Sequence, residues 1–168
     1  SGEITTNAYV DIQRTVADTL AGIGYDPNNF GVMSSIHSQS PDIAMGVDTG
    51  GAGDQGLMFG YACDQTDEYM PLPIYLAHKL VKTLDEYASR KAYLRPDTKT
   101  QVTVEYQGKK PVRIAAVVVA ASHDHTIEME DLRADIRKDV IDQVIPADMI
   151  DKDTKFFINA TGRFEEHG

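Results

Sequence analysis

The sequence predicts an α+β fold in which helices pack on one face of a mainly antiparallel sheet. Two observations carry this prediction. Two segments place apolar residues every three or four positions, as helices with one buried face do. Short β-rich runs flank these segments, so that from residue 57 the expected order is strand, helix, strand, strand, helix, strand. Each helix then has a sheet on which to bury its apolar face.

The two helices are predicted over residues 70–91 and 128–144. Pro71 and Pro73 suit the first turn of the longer helix, where a missing N–H costs no hydrogen bond. The apolar stripe of the longer helix is Leu72, Leu76, Leu80, Leu84 and Ala88. The stripe of the shorter helix is Leu132, Ile136, Val140 and Val144.

Four strands complete this unit. An apolar run over residues 57–63 predicts the first. Residues 100–106 and 112–121 are rich in β-branched side chains, and the turn Gln107-Gly108-Lys109-Lys110 joins them into a β-hairpin. Residues 156–159 predict the last strand.

The first part of the chain predicts a smaller unit. Residues 2–36 read as a strand end, a helix over residues 9–23 and a short strand over residues 30–36. Residues 38–53 contain little apolar content and several glycines, which predicts an exposed loop.

Composition narrows the function classes. The chain has 168 residues, 42% hydrophobic, with a net charge of −10. It lacks clusters of Lys and Arg, so we expect no nucleic-acid partner. No apolar run is long enough to span a bilayer, so we expect no membrane association. The single cysteine excludes an internal disulfide and fits a cytoplasmic setting.

Two local patterns leave alternatives open. Gly51-Ala52-Gly53-Asp54-Gln55-Gly56 permits a tight turn with close backbone approach to a ligand, but by composition alone it is more typical of a plain loop. It matches neither a phosphate-binding nor a dinucleotide-binding fingerprint. His123-Asp124-His125 could hold a metal ion, yet a solvated turn is the favoured interpretation.

Several short sequence motifs occur in this chain in the order in which one enzyme family has them. They are Gly2-Glu3-Ile4-Thr5-Thr6, Gln39-Ser40-Pro41-Asp42-Ile43, Gly51-Ala52-Gly53-Asp54-Gln55-Gly56, Leu94-Arg95-Pro96-Asp97-Thr98-Lys99-Thr100 and Thr161-Gly162-Arg163-Phe164. Because it carries these motifs, the chain resembles the S-adenosylmethionine synthetases, or methionine adenosyltransferases, over residues 2–164. The resemblance implies a partial N-terminal-domain-like unit over residues 1–50, including a gating-type loop, and a central α+β domain over residues 51–168.

The resemblance also implies substrates, ions and contacts. That family joins ATP and L-methionine into S-adenosylmethionine, releases phosphate and diphosphate, uses Mg²⁺ and K⁺, and builds its active sites between two subunits of a dimer. Matched residue by residue, Glu3 and Gln39 would hold methionine. The nucleotide-binding residues would be Asp54, Asp97, Lys99 and Arg163.

The chain also departs from the family pattern. The family's His-Pro-Asp-Lys motif and its Gly-Asp-x-Gly-Leu-Thr-Gly-Arg-Lys segment have no counterpart, and Ala120 stands where many members have a nucleotide-contacting serine. We therefore expect a fragment or shortened variant without a complete catalytic or metal set, and little activity from it alone. The alternative is a non-catalytic, engineered minimal domain or structural subunit that self-associates through its sheet face, with residues 101–105 and 117–121 as candidates.

Overall fold

The computed structural model describes residues 1–53 and 56–165. By its internal contacts the chain divides into two compact units, Ser1–Gly60 and Tyr61–Gly168. The boundary between homologous domains inferred above, after residue 50, stays a prediction.

In its described residues, the first unit contains two short strands, two α-helices and one 3₁₀ turn (Pro27–Asn29). Strand β1 (Gly2–Glu3) pairs in parallel with β2 (Ile36–His37). Helix α1 (Ile12–Gly22) lies between them, and the side chain of Asp11 caps it by accepting a hydrogen bond from the Arg14 N–H. Helix α2 (Pro41–Val47) follows β2. The predicted helix over residues 9–23 is confirmed in its central part.

The second unit begins with helix α3 (Leu72–Ala88), which confirms the longer predicted helix. Strands β3 (Leu94–Gln107) and β4 (Lys110–His123) form the predicted antiparallel hairpin, and Gly108 in its turn has a φ of 63° that favours glycine.

A second helical segment follows the hairpin. It comprises α4 (Met129–Ile136), one π-helical turn (Arg137–Ile141) and α5 (Asp142–Val144). The π turn inserts one extra residue into the helical repeat. As a result Ile141 and Ile145 continue the buried stripe, whereas Val144 of the predicted stripe is half-buried.

Strand β5 (Lys155–Ile158) completes the sheet by pairing in parallel with β4, so that the strand order is β3-β4-β5. The α+β class is confirmed, with a mixed rather than purely antiparallel sheet. One face of the sheet carries Val102, Val117 and Val119, which belong to the same buried core as the apolar stripes of α3 and α4. Lys99, Gln101 and Val118 alternate with these residues and point to the opposite face.

Three predicted segments differ from the structure. Residues 57–63 form no strand, and Leu57, Met58 and Phe59 are 81%, 92% and 92% exposed. Apolar content indicates a side chain suited to a half-buried sheet, but it does not supply a strand to pair with. The strand predicted over residues 30–36 is reduced to Ile36 and its neighbour His37.

The loop predicted over residues 38–53 contains α2. Pro41 opens this helix at a position where proline is favourable, a signal that the glycine content of the segment obscured. Among the described residues, no helix is long and apolar enough to cross a membrane.

Candidate functional site

The candidate site is built on the loop that follows β5. The strand ends at Ile158, and Asn159 then adopts a left-handed backbone conformation with φ 44°, which asparagine tolerates better than most residues. The Asn159 side-chain amide donates to the Ala121 carbonyl at 2.9 Å, and its oxygen accepts from the Ala121 N–H at 2.8 Å. One buried side chain therefore continues the pairing with β4 after the backbone of β5 has turned away.

The loop leaves the sheet edge and returns to it within five residues. The Gly162 N–H donates to the Asn159 carbonyl at 3.1 Å, and Gly162 has a φ of 111° that a side chain would strain. Phe164 then rejoins β4, because its carbonyl accepts from the His123 N–H at 2.9 Å. We call residues 159–164 the edge loop.

The edge loop meets a cation from β3. Lys99 pairs with Ala120 across the hairpin, and its Nζ lies 5.3 Å from the centre of the Phe164 ring. A pocket of about 160 Å³ opens beside them. Its lining includes Val118, Ala120, Asn159, Thr161, Gly162 and Phe164. Phe164 and the loop thus line one concave surface, and the Lys99 ammonium lies over the Phe164 ring.

The second cation of the site is Arg163. Its Nη2 donates to the carbonyls of His125 and Ile127, each at 3.2 Å, and its Nε forms an ion pair with Glu165. That carboxylate raises the pKa of Arg163, and the guanidinium in turn lowers the pKa of Glu165. The guanidinium is partly exposed and is already satisfied by neighbours of the chain itself.

The remaining predicted nucleotide residues are placed differently. Asp97 lies two residues before Lys99, half-buried, where the register of β3 shifts against β4 between Leu94 and Thr98. Such irregularities redirect side chains at sheet edges and sites. Asp54 lies outside the described residues. The structure therefore brings together Lys99 and the loop that carries Arg163, with Asp97 close by along the same strand.

The two residues predicted to bind the substrate methionine, Glu3 and Gln39, lie in the first unit. Glu3 is exposed and pairs with His37 in the short parallel ladder. Gln39 follows two residues later, and its N–H donates to the Thr5 hydroxyl at 3.0 Å. Glu3 and Gln39 are therefore neighbours within that unit.

Sequence reasoning missed two supports of the edge loop, Asn159 and His123. His123 is fully buried at the end of β4, so the solvated turn predicted for His123-Asp124-His125 is wrong for its first residue, whereas His125 is exposed. The error has a physical cause. β4 runs two residues further than predicted, and on its inward face His123 follows the buried Ala121.

The resemblance implies Mg²⁺ and K⁺, which need ligands from side chains. Mg²⁺ prefers oxygen ligands and often uses one or two carboxylates with substrate phosphates. Across residues 1–53 and 56–165, no group of three or more His, Cys, Asp or Glu side chains is placed to hold an ion. Mg²⁺ and K⁺ stay predictions from the family.

Fold and site together define an α+β domain that carries a cation-bearing loop at one edge of its sheet. A family model described as S-adenosylmethionine synthetase, central domain, matches residues 49–164. The chain belongs to the S-adenosylmethionine synthetase family.

Comparison with one relative shows how much of a family member's length this chain covers. The S-adenosylmethionine synthase of Clostridium botulinum (strain Alaska E43 / Type E3) is 48% identical over 186 residues, a stretch that includes 97% of this chain and 48% of that protein. The chain thus spans about half the length of the relative. The matched stretch is also longer than the 168 residues of this chain, so the relative carries residues within it that this chain lacks.

Proposed function

We propose that this chain provides part of the substrate-binding surface of a methionine adenosyltransferase, which forms S-adenosylmethionine from ATP and L-methionine. Asp97, Lys99 and Arg163 contact the nucleotide in this proposal, and Glu3 and Gln39 contact methionine. The observation that carries it is the meeting of Lys99 with the edge loop beside one pocket.

The chemistry of the reaction suits these residue types. The methionine sulfur displaces triphosphate from the ribose C5′, a step that needs alignment of the reactants and neutralisation of the departing charge more than proton transfer. Lys99 lies over the ring of Phe164, which lines the pocket, and Arg163 precedes Phe164 in the edge loop, so both bring positive charge to this part of a chain whose net charge is −10. Without such local cations, the acidic chain would repel a polyphosphate.

The proposal assigns only part of the reaction to this stretch of polypeptide. Further cations and metal-holding carboxylates come from outside it, together with the Mg²⁺ and K⁺ that the family implies. The matched relative, of which this chain spans about half, supports that division. We also propose a cytoplasmic location, which the single cysteine favours.

Calorimetric titration with a non-hydrolysable ATP analogue and Mg²⁺, with and without methionine, tests the proposal. We expect saturable binding that Lys99→Ala weakens by about tenfold, since a hydrogen bond to a charged group contributes about 1.5–3 kcal/mol. Lys109→Ala is the matched control, because Lys109 lies in the turn at the far end of the hairpin. Equal affinities of the two variants, or no binding to the native chain, would contradict the proposal.

A second candidate function is self-association through the sheet face opposite the helices. Val118 there is half-buried and Phe157 is 41% exposed, so the face offers apolar surface to a second copy of the chain. Sedimentation would show a dimer that Phe157→Lys converts to a monomer. A native chain that remains monomeric at high concentration excludes this function.

A further inference from the structure

The His123 ring uses both of its nitrogens inside the protein. Its side chain is fully buried, Nδ1 lies 2.8 Å from the Asp124 carbonyl oxygen, and Nε2 lies 3.1 Å from the Phe164 nitrogen. A carbonyl oxygen can only accept, so Nδ1 must carry a proton. The Phe164 N–H can only donate, so Nε2 must carry a lone pair. The neutral ring protonated on Nδ1 is the one form that satisfies both partners.

Two hydrogen bonds hold Phe164 to this one residue. The His123 ring accepts from the Phe164 N–H, and the His123 N–H donates to the Phe164 carbonyl at 2.9 Å. Arg163 precedes Phe164, and its guanidinium donates to the carbonyls of His125 and Ile127. These four hydrogen bonds attach the returning end of the edge loop to residues 123–127.

We propose that His123, as its neutral Nδ1–H tautomer, is a positioning residue that fixes Arg163 and Phe164 for the nucleotide. That the edge loop contacts a nucleotide rests on the proposed function. His123 lines no part of the pocket beside Lys99. It acts through Phe164, whose ring faces the Lys99 ammonium.

The hold on Phe164 requires a lone pair on Nε2 of His123. A second proton, on Nε2, would face the Phe164 N–H as donor against donor, and the acceptor that holds the loop would be lost. The charged groups near this ring are the carboxylates of Asp124 and Glu165 and the guanidiniums of Arg95 and Arg163. The exposed His125 is the other titratable group of the turn, and the Tyr93 carbonyl accepts from the Asp124 N–H on the β3 side.

The native chain supplies the first test. Long-range ¹H–¹⁵N spectra of its imidazoles distinguish the tautomers, and we expect His123 to show a protonated Nδ1 and an unprotonated Nε2 at neutral pH. Amide hydrogen exchange should show a protected Phe164 N–H, because the His123 ring accepts its hydrogen bond. A ring protonated on Nε2 at neutral pH would overturn the proposal, whether or not any variant folds.

Two substitutions separate positioning from general loss of structure. In His123→Gln the amide oxygen can reach the position of Nε2 and accept from Phe164. In His123→Asn the shorter amide can still donate to the Asp124 carbonyl but leaves the Phe164 N–H without an acceptor. We expect Phe164 exchange to accelerate about tenfold in the Asn variant and to remain near native in the Gln variant.

Controls come from the same molecule. The amides of Val117 and Val119 in β4 report whether the sheet is intact, and His125→Gln changes the exposed histidine alone. Native Phe164 protection in the Asn variant would overturn the proposal.

Titration with the ATP analogue and Mg²⁺ separates the two hypotheses. If Phe164 protection falls in the Asn variant but the native chain binds no analogue, positioning stands and the proposed function fails. If the native chain binds, we expect the Asn variant to bind about tenfold more weakly and the Gln variant to recover affinity. Undiminished binding by an Asn variant with a released Phe164 would overturn the role assigned to His123.

Discussion

Replacement of Asn159 by leucine should destabilise the second unit by several kilocalories per mole. Asn159 is 3% exposed, and its side chain satisfies both the N–H and the carbonyl of the buried Ala121. Each main-chain group left unpaired in the interior costs about 1–3 kcal/mol. The two together give about 2–6 kcal/mol, a large part of the roughly 5–15 kcal/mol that typically stabilises a domain. A branched leucine would also fit the left-handed backbone poorly.

Urea unfolding followed by circular dichroism measures this effect. With a denaturant slope of about 2 kcal/mol/M, the midpoint should fall by about 1–3 M. Asn159→Gly is the informative control, because glycine accepts the backbone conformation but also removes both hydrogen bonds. We expect the Gly variant to be destabilised nearly as much as the Leu variant. A Leu variant whose midpoint lies within about 0.3 M of the native value would refute the reasoning.

Three further outcomes follow from contacts of single side chains. Tyr93→Phe removes a hydroxyl that donates to Asp135 at 2.5 Å, so the unfolding free energy should fall by about 1 kcal/mol and the lowered pKa of Asp135 should rise in an NMR titration. Arg113 binds Asp151 through two nitrogens and holds the pKa of that carboxyl far below its ordinary 3.8. This stabilisation is present at pH values above 3.8 and is lost as the pH falls below that value. In Arg113→Gln the urea midpoint should therefore decrease less steeply with falling pH in the acid range than it does in the native chain. Glu165→Gln should free the guanidinium of the edge loop and tighten binding of the ATP analogue, and calorimetry at low and high salt should show the gain shrinking with ionic strength.

Periodicity in the sequence located most of the second unit. The stripe from Leu72 to Leu84 predicted α3, and the β-rich runs around Gly108 predicted the hairpin, because these elements depend on local pattern and turn chemistry. Residues 57–63 have a strand-like composition but no strand, since pairing depends on a neighbour that the local sequence does not specify.

The candidate site was predictable only in its charged residues. The family resemblance indicates Lys99 and Arg163, and the structure places Lys99 beside the loop that carries Arg163. The sequence does not indicate that Asn159 and His123 hold this loop in place, because those roles depend on the residues that each one meets in the folded chain. Those contacts are a tertiary property, and a lone asparagine after a strand gives only a weak turn signal.

The parallel pairing of β5 with β4 has a consequence for synthesis of the chain. The hairpin partners lie close in sequence, but Val117 pairs with Phe156, which a ribosome adds much later. Until then one edge of β4, with its run of valines, has no partner strand and is a template for contacts with other nascent chains. The edge loop depends on that later pairing, so it forms after the hairpin.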